Sequence, residues 1–259
     1  MSAAASPSYG SAPRSPRVAF FGGSFDPPHC GHLGIAHAAR QALALDTVLF
    51  APVGRQPLKT DQILPTDFAH RVSMTRLAIA DEPGFRLSLL DAPTANGEPN
   101  FTASTLERLR AELPHAAELF LLIGSDSLAQ FPRWHRAAEI PFMASLIVAA
   151  RPGAFDPKSM TETGLDQTLW LPDSLRWCES SKRQEAPGLT SIPIADFTGR
   201  ETLVYFLDEP DYPVSATRLR ALLAQHADDD VSDLLPPGVL DYIRTHRLYV
   251  SSGAHPIAQ

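Results

Sequence analysis

Arg17-Val18-Ala19-Phe20-Phe21-Gly22-Gly23-Ser24-Phe25-Asp26-Pro27-Pro28-His29-Cys30-Gly31-His32 is the stretch from which the fold can be read. Its first five residues form a short apolar run ended by Gly22-Gly23, as in a buried strand. Turn-forming residues follow, and the composition turns helical over 32–45. The segment therefore reads as a strand, a Gly- and Pro-containing loop and a helix.

The same alternation continues downstream. Strands are predicted over 47–51, stopped by Pro52, and over 85–90, 118–123 and 144–150. Helices are predicted over 66–81, with Asp67 as a cap before Phe68, and over 102–112, stopped at Pro114. The strands are short and apolar, as buried parallel strands are. The order implies an α/β fold: a doubly wound, mostly parallel sheet with helices on both faces and right-handed crossovers. Ligands in such folds bind beyond the carboxyl ends of the strands, which directs attention to the loops after Phe21, Ala51, Ile123 and Ala150. A further strand is predicted over 202–207, a helix from Ser215 to about 225, and a short last helix over 236–249. Residues 154–200 mix Pro, Ser, Thr and charge, and no element is assigned there. One domain over 17–250 is expected, with an irregular insertion near 154–200 and tails at 1–16 and 251–259. The first tail is rich in Ser, Ala and Pro and is expected to be disordered.

Composition narrows the function. The chain of 259 residues carries 22 basic and 29 acidic side chains, a formal charge of -7. That balance argues against a nucleic-acid polymer as partner, but allows a small phosphorylated one held by a local basic cluster. Cys30 and Cys178 form no Cys-x-x-Cys pair, so a thiolate zinc site or disulfide framework is not expected. No apolar run has the roughly 18 residues needed to span a membrane. A cytoplasmic protein is expected, and a homo-oligomer is left open.

The loop after the first strand carries the chemistry. Gly22 and Gly23 let backbone approach a ligand. The helix N-terminus beyond them offers N–H groups and a positive dipole end, which suits a phosphate. His29 and His32, three apart, share one face of a helical turn and can donate hydrogen bonds to phosphate oxygens. This is not the G-x-G-x-x-G dinucleotide fingerprint. The bland alternative, a turn with two surface histidines, suits a lone histidine far better than the whole string. A second constellation is Ser215-x-Thr217-Arg218-x-Arg220. Ser215 is a good N-cap, Thr217 would face a phosphate, and only one of the two arginines can face the same ligand. Alone it is a routine helix start.

Together the two segments resemble the nucleotidyltransferase superfamily with an H-x-G-H signature near its N-terminus and S-x-T-x-x-R near its C-terminus. Within it, the chain looks most similar to bacterial nicotinate-nucleotide adenylyltransferases. That family's opening motif is matched by Gly22 to Leu33, and its P-x-x-x-P-x-K/R loop, with altered spacing, by Pro52 to Lys59. Asn100-Phe101-Thr102-Ala103-Ser104-Thr105-Leu106 is similar to its Y-T-x-x-T-L segment. Ile123-Gly124-Ser125-Asp126-Ser127-Leu128 with Phe131-Pro132-Arg133-Trp134 is similar to its I-G-x-D-x-L…F-x-x-W segment, which separates it from phosphopantetheine adenylyltransferases. Ala150-Arg151-Pro152-Gly153 matches its R-P-G turn. The resemblance spans about 17–249, with departures at Ser24 (Thr is commoner), at His135 (Tyr or Lys is usual) and in the long 154–200 link.

The resemblance implies a Rossmann-like nucleotidyltransferase that joins nicotinate mononucleotide to ATP, giving nicotinate adenine dinucleotide and pyrophosphate. His29, His32 and Arg220 would be catalytic, acting on charge rather than as bases. Gly22, Gly23, Ser24, Phe25, Lys59, Gly124, Asp126, Ser215 and Thr217 would complete the ATP site. Trp134 would stack on the nicotinate ring, Thr102, Asp126 and Ser127 would present N–H groups to its carboxylate, and Arg151 would reach the mononucleotide phosphate. Mg²⁺ would ride on the phosphates, with no protein metal cage. The alternatives are transfer to nicotinamide mononucleotide or phosphopantetheine, cytidylyl transfer, or a non-catalytic nucleotide-binding module. An aminoacyl-tRNA synthetase fragment would need a K-M-S-K-S loop and a basic surface, and the chain shows neither.

Overall fold

Strand β1 (Arg17–Gly23) sends alternate side chains to opposite faces. Ala19 and Phe21 join one buried cluster, and Val18 and Phe20 join the other. Strand β4 (Glu118–Gly124) repeats this, with Phe120 and Leu122 on the first side and Leu119, Leu121 and Ile123 on the second. A sheet that is apolar on both faces needs helices on both, and this one has them. The computed structural model describes residues 14–58, 66–150, 171–178, 183–208, 214–225 and 229–250.

The remaining elements are α1 (Cys30–Ala42), β2 (Thr47–Pro52), α2 (Phe68–Ala78), β3 (Phe85–Leu87), α3 (Thr102–Glu112), α4 (Ser125–Leu128), α5 (Ile140–Met143), β5 (Ser145–Ala150), β6 (Leu175–Trp177), β7 (Arg183–Ala186), β8 (Leu189–Asp196), β9 (Glu201–Asp208), α6 (Ala216–Ala224) and α7 (Pro237–His246). Helices α1, α2, α6 and α7 cover the first face through Ala36, Met74, Leu219 and Val239. Helices α3, α4 and α5 cover the second through Leu106, Leu128 and Ile140.

The strands run in the order β3-β2-β1-β4-β5-β9-β8-β6, with β7 also on β8. Those from β3 to β9 in that order are mutually parallel, and β8 is antiparallel to β9, β6 and β7. The chain leaves β1 toward β2 on one side and later places β4 on the other. The order thus switches direction between β1 and β4, where an open α/β sheet forms its ligand crevice.

The structure departs from the sequence reading in two places. The helix that the alternation implies between β4 and β5 is instead two single turns, α4 and α5, with a 3-10 turn at Phe131–Arg133. Pro132 and Pro141 sit in the first turns of these short pieces, where their missing N–H costs nothing, and no long helix forms. The described part of 154–200 is not irregular but holds β6, β7 and β8. Pro193 lies inside β8, where a proline ordinarily argues against a strand, and its carbonyl still accepts from the Cys178 amide at 2.8 Å.

Beyond β2 the chain packs tightly on the loop after β3. The Gly54 amide donates to the Asp91 carbonyl at 2.7 Å. A Cβ at Gly54 would lie 2.4 Å from the Pro93 backbone nitrogen, and backbone cannot step aside as a side-chain tip can. Gly54→Ala is therefore expected to lower unfolding stability by about 1–3 kcal/mol, the scale of overpacking. Urea denaturation checks this, and an unchanged midpoint would show that the two loops part freely.

Candidate active site

The β1–α1 loop turns within six residues, Ser24 to His29, from the end of the strand to the N-cap of α1. Phe25 takes a left-handed conformation, φ 46°, and the Asp26–Pro27 peptide is cis. The His29 amide donates to Nδ1 of His32 at 3.2 Å. Nδ1 can accept only when it carries no proton, so the neutral His32 ring holds its hydrogen on Nε2, as a donor. The His29 and His32 rings lie 3.7 Å apart between centroids, and Phe25 meets His32 edge-on at 5.0 Å. Gly31 is required between them: a Cβ there would stand 2.9 Å from Val214 Cγ1 and 3.1 Å from His29 Nδ1.

Side chains from distant elements fix this loop. The Arg71 guanidinium of α2 is 2% exposed and donates to the carbonyls of Ser24 at 2.8 Å and Thr66 at 3.2 Å. Burial pushes its pKa down, and the nearby Asp26 carboxylate opposes the shift. Gln56 donates to the Ser24 hydroxyl at 2.7 Å. Arg220 of α6 donates to the Asp26 carbonyl at 2.7 Å.

A cleft of about 980 Å³ opens over the carboxyl ends of β1 and β4. Gly22, Gly23, Ser24, Phe25, His29 and His32 line one end. Thr102, Gly124, Asp126, Ser127 and Trp134 line the other, and Ser215 reaches it from the start of α6. The structure thus brings most of the expected residues to one wall-to-wall space. Thr217 and Arg220 do not line it. Thr217 is exposed, its hydroxyl 3.3 Å from Arg220 Nη2, and Arg220 turns to the back of the loop. Arg218 is exposed, and its amide caps on the Ser215 hydroxyl at 3.2 Å. Lys59 and Arg151 lie outside the described residues.

Trp134 is half-buried and serves two ends at once: it packs on the second core cluster, 5.5 Å from Phe131, and lines the cleft. His135 also lines the cleft, exposed, with its ring 4.6 Å from Phe101. Residues that the sequence reading gave no role also build the walls. Asn100 accepts from the Arg55 amide at 2.9 Å and donates to the Ala92 carbonyl at 2.8 Å, tying the loops after β2 and β3 together. The Asp91 carboxyl, buried at the cleft floor, accepts from Thr105 at 2.5 Å. Burial raises its pKa, and the Thr105 hydrogen bond and Arg108 offset part of that rise. Among the described residues, no three His, Cys, Asp or Glu side chains gather as a metal cage. Chemically the site offers the positive end of α1, an imidazole donor and an aromatic wall.

Comparison with known proteins identifies the family. Residues 20–222 match the cytidylyltransferase-like family model. The chain is 40% identical to the "Probable nicotinate-nucleotide adenylyltransferase" of Chromobacterium violaceum over 90% of its own length and 98% of that protein's. It is 36% identical to the protein of the same name in Cronobacter sakazakii, over 89% and 94%. Among solved structures it is similar to Plasmodium falciparum nicotinic acid mononucleotide adenylyltransferase complexed with NaAD, with a TM-score of 0.61, 16% identity, and 90% and 97% of the two chains covered. That last likeness speaks to the fold. Coverage of nearly the whole chain at 40% identity, with the family model matched over residues 20–222, makes this chain a member of the nicotinate-nucleotide adenylyltransferase family.

Proposed function

We propose that the chain transfers the adenylyl group of ATP to nicotinate mononucleotide, giving nicotinate adenine dinucleotide and pyrophosphate in NAD biosynthesis. The observation that carries this reading is the single cleft joining the His29–His32 turn to Trp134. One end suits a triphosphate, and the other suits a flat aromatic ring.

In the reaction a phosphate oxygen of the mononucleotide forms a bond to the ATP α-phosphorus. The bond from that phosphorus to the bridging oxygen breaks, and its electron pair leaves with pyrophosphate. The nucleophile is already an anion at neutral pH, so no general base is needed. Catalysis then consists of bringing two anions together in line and stabilising charge that develops on the α-phosphate and the leaving group. The Nε2–H of His32 is assigned to the α-phosphate and His29 to the neighbouring phosphates. The positive end of the α1 dipole adds to the same field. Ser24 and Ser215 border this space, and Lys59, Thr217 and Arg220 are assigned to its outer rim. Arg220 has five N–H donors, of which the Asp26 carbonyl uses one and the Thr217 hydroxyl another.

Mg²⁺ would ride on the phosphates, held mainly by their oxygens and water. It would neutralise part of the triphosphate charge. Trp134 stacks on the pyridine ring, and amides at the start of α3 and around Asp126–Ser127 face its carboxylate. Arg151 is assigned to the mononucleotide phosphate. No helix among the described residues is long and apolar enough to cross a membrane. Both cysteines are free thiols, which supports a reducing cytoplasm.

Pyrophosphate release, measured with ATP and each candidate acceptor, tests the assignment. Turnover with nicotinate mononucleotide well above that with nicotinamide mononucleotide is expected, and equal or reversed rates would remove the acid as the preferred substrate. In the same assay His32→Ala should lower kcat by about 10²-fold or more, the scale of losing one transition-state donor. A loss under about threefold would take His32 out of the mechanism.

A further inference from the structure

Asp26 is the one acidic side chain between Ser24 and His29, and it is 1% exposed. A buried carboxylate needs donors. Among the described residues one side chain supplies a hydrogen bond to it: the Tyr249 hydroxyl, 2.5 Å from Oδ1 and 223 positions later in the chain. Its Oδ2 has no hydrogen-bond partner there. Arg71 lies close enough to sense the charge of Asp26, and Arg220 binds the same residue's carbonyl.

Tyr249 is placed for this contact by the chain around it. Helix α7 ends at Arg247 in a left-handed conformation, φ 49°, and Tyr249 itself has φ 63°. These two turns fold the segment back under the loop. The ring packs on the first core cluster, and the hydroxyl comes 4.0 Å from Met74 Sδ. Burial and the neighbouring Asp26 both push the phenol pKa far up, so the hydroxyl keeps its proton and remains a donor.

We propose that Tyr249 is a positioning residue for adenylyl transfer: its hydroxyl holds the Asp26 carboxylate and thereby the turn that presents His29 and His32. It acts through the loop and does not touch substrate. Asp26, Arg71, Arg220 and Tyr249 come from β1–α1, α2, α6 and the segment after α7, so the loop is clamped from three separate elements. The inference rests on the adenylyl-transfer reading only for its activity arm.

Tyr249→Phe keeps the ring and deletes the donor. Three readouts are compared with wild type: steady-state kinetics well below the melting temperature, melting temperature, and deuterium uptake of the peptide 22–34. The expected result is a fall in kcat of about tenfold, as for a small misplacement of reacting groups. KM for the mononucleotide should stay within twofold, since Trp134 is at the other end of the cleft. Uptake in 22–34 should quicken while peptides from β4 and β5 stay unchanged. Asp26→Ala combined with Tyr249→Phe should lose little more than the worse single variant, because both remove one interaction. The proposal is overturned if Tyr249→Phe keeps kcat and uptake within twofold of wild type, if it lowers only the melting temperature, or if the two losses multiply. A wild-type protein with no turnover would instead refute the assigned reaction, and the uptake arm would still decide whether Tyr249 holds the loop.

Discussion

The hydrogen bond from the His29 amide to Nδ1 of His32 sets the start of α1 and the tautomer of the second ring together. Without it the helix would begin with one more unsatisfied N–H, and the His32 proton could sit on either nitrogen. With it, an Nε2–H donor and the positive end of a 13-residue helix lie at the carboxyl end of β1. Every other feature of the site can be read as supporting that one arrangement. Gly31 leaves room for it, Phe25 packs the His32 ring, and Arg71 and Arg220 hold the carbonyls that lead into it.

The sheet explains why the arrangement sits where it does. β1 and β4 are central, parallel and buried on both faces, so their ends are rigid. Loops from both meet over the switch in strand order. One contributes the histidines and the other Gly124 to Ser127 and, further on, Trp134. A Cβ at Gly124 would meet nothing within 4 Å, so this glycine faces open space. The residues proposed for the phosphates and those proposed for the ring thus follow adjacent strands, β1 and β4.

Much of this was legible in the sequence, for physical reasons. Buried strands are short apolar runs, so β1, β2, β4 and β5 could be bounded to within about two residues. Gly, Pro and His in the first loop have conformational and chemical signatures that do not depend on context. What was not legible depends on tertiary packing. Arg71 is one cation among several on a helix, and nothing local tells that it is buried on the Ser24 carbonyl. Asp91 and Asn100 read as loop residues until β2 and β3 bring their loops together. The sequence leaves open which of Arg218 and Arg220 faces inward, and only the fold shows Arg220 turned to the loop and Arg218 to solvent. β6, β7 and β8 were hidden by Pro193 and by strand lengths of three or four residues in β6 and β7.

The central claim is that His29 and His32 meet the phosphates of ATP. Protein carrying ¹⁵N-labelled histidine, titrated with a non-hydrolysable ATP analogue, tests it most directly. The account predicts that the side-chain resonances of His29 and His32 move together with one dissociation constant, with His32 keeping its proton on Nε2. His70, His115 and His246, away from the cleft, should stay in place. Saturable binding that leaves the His29 and His32 signals where they were would contradict the account.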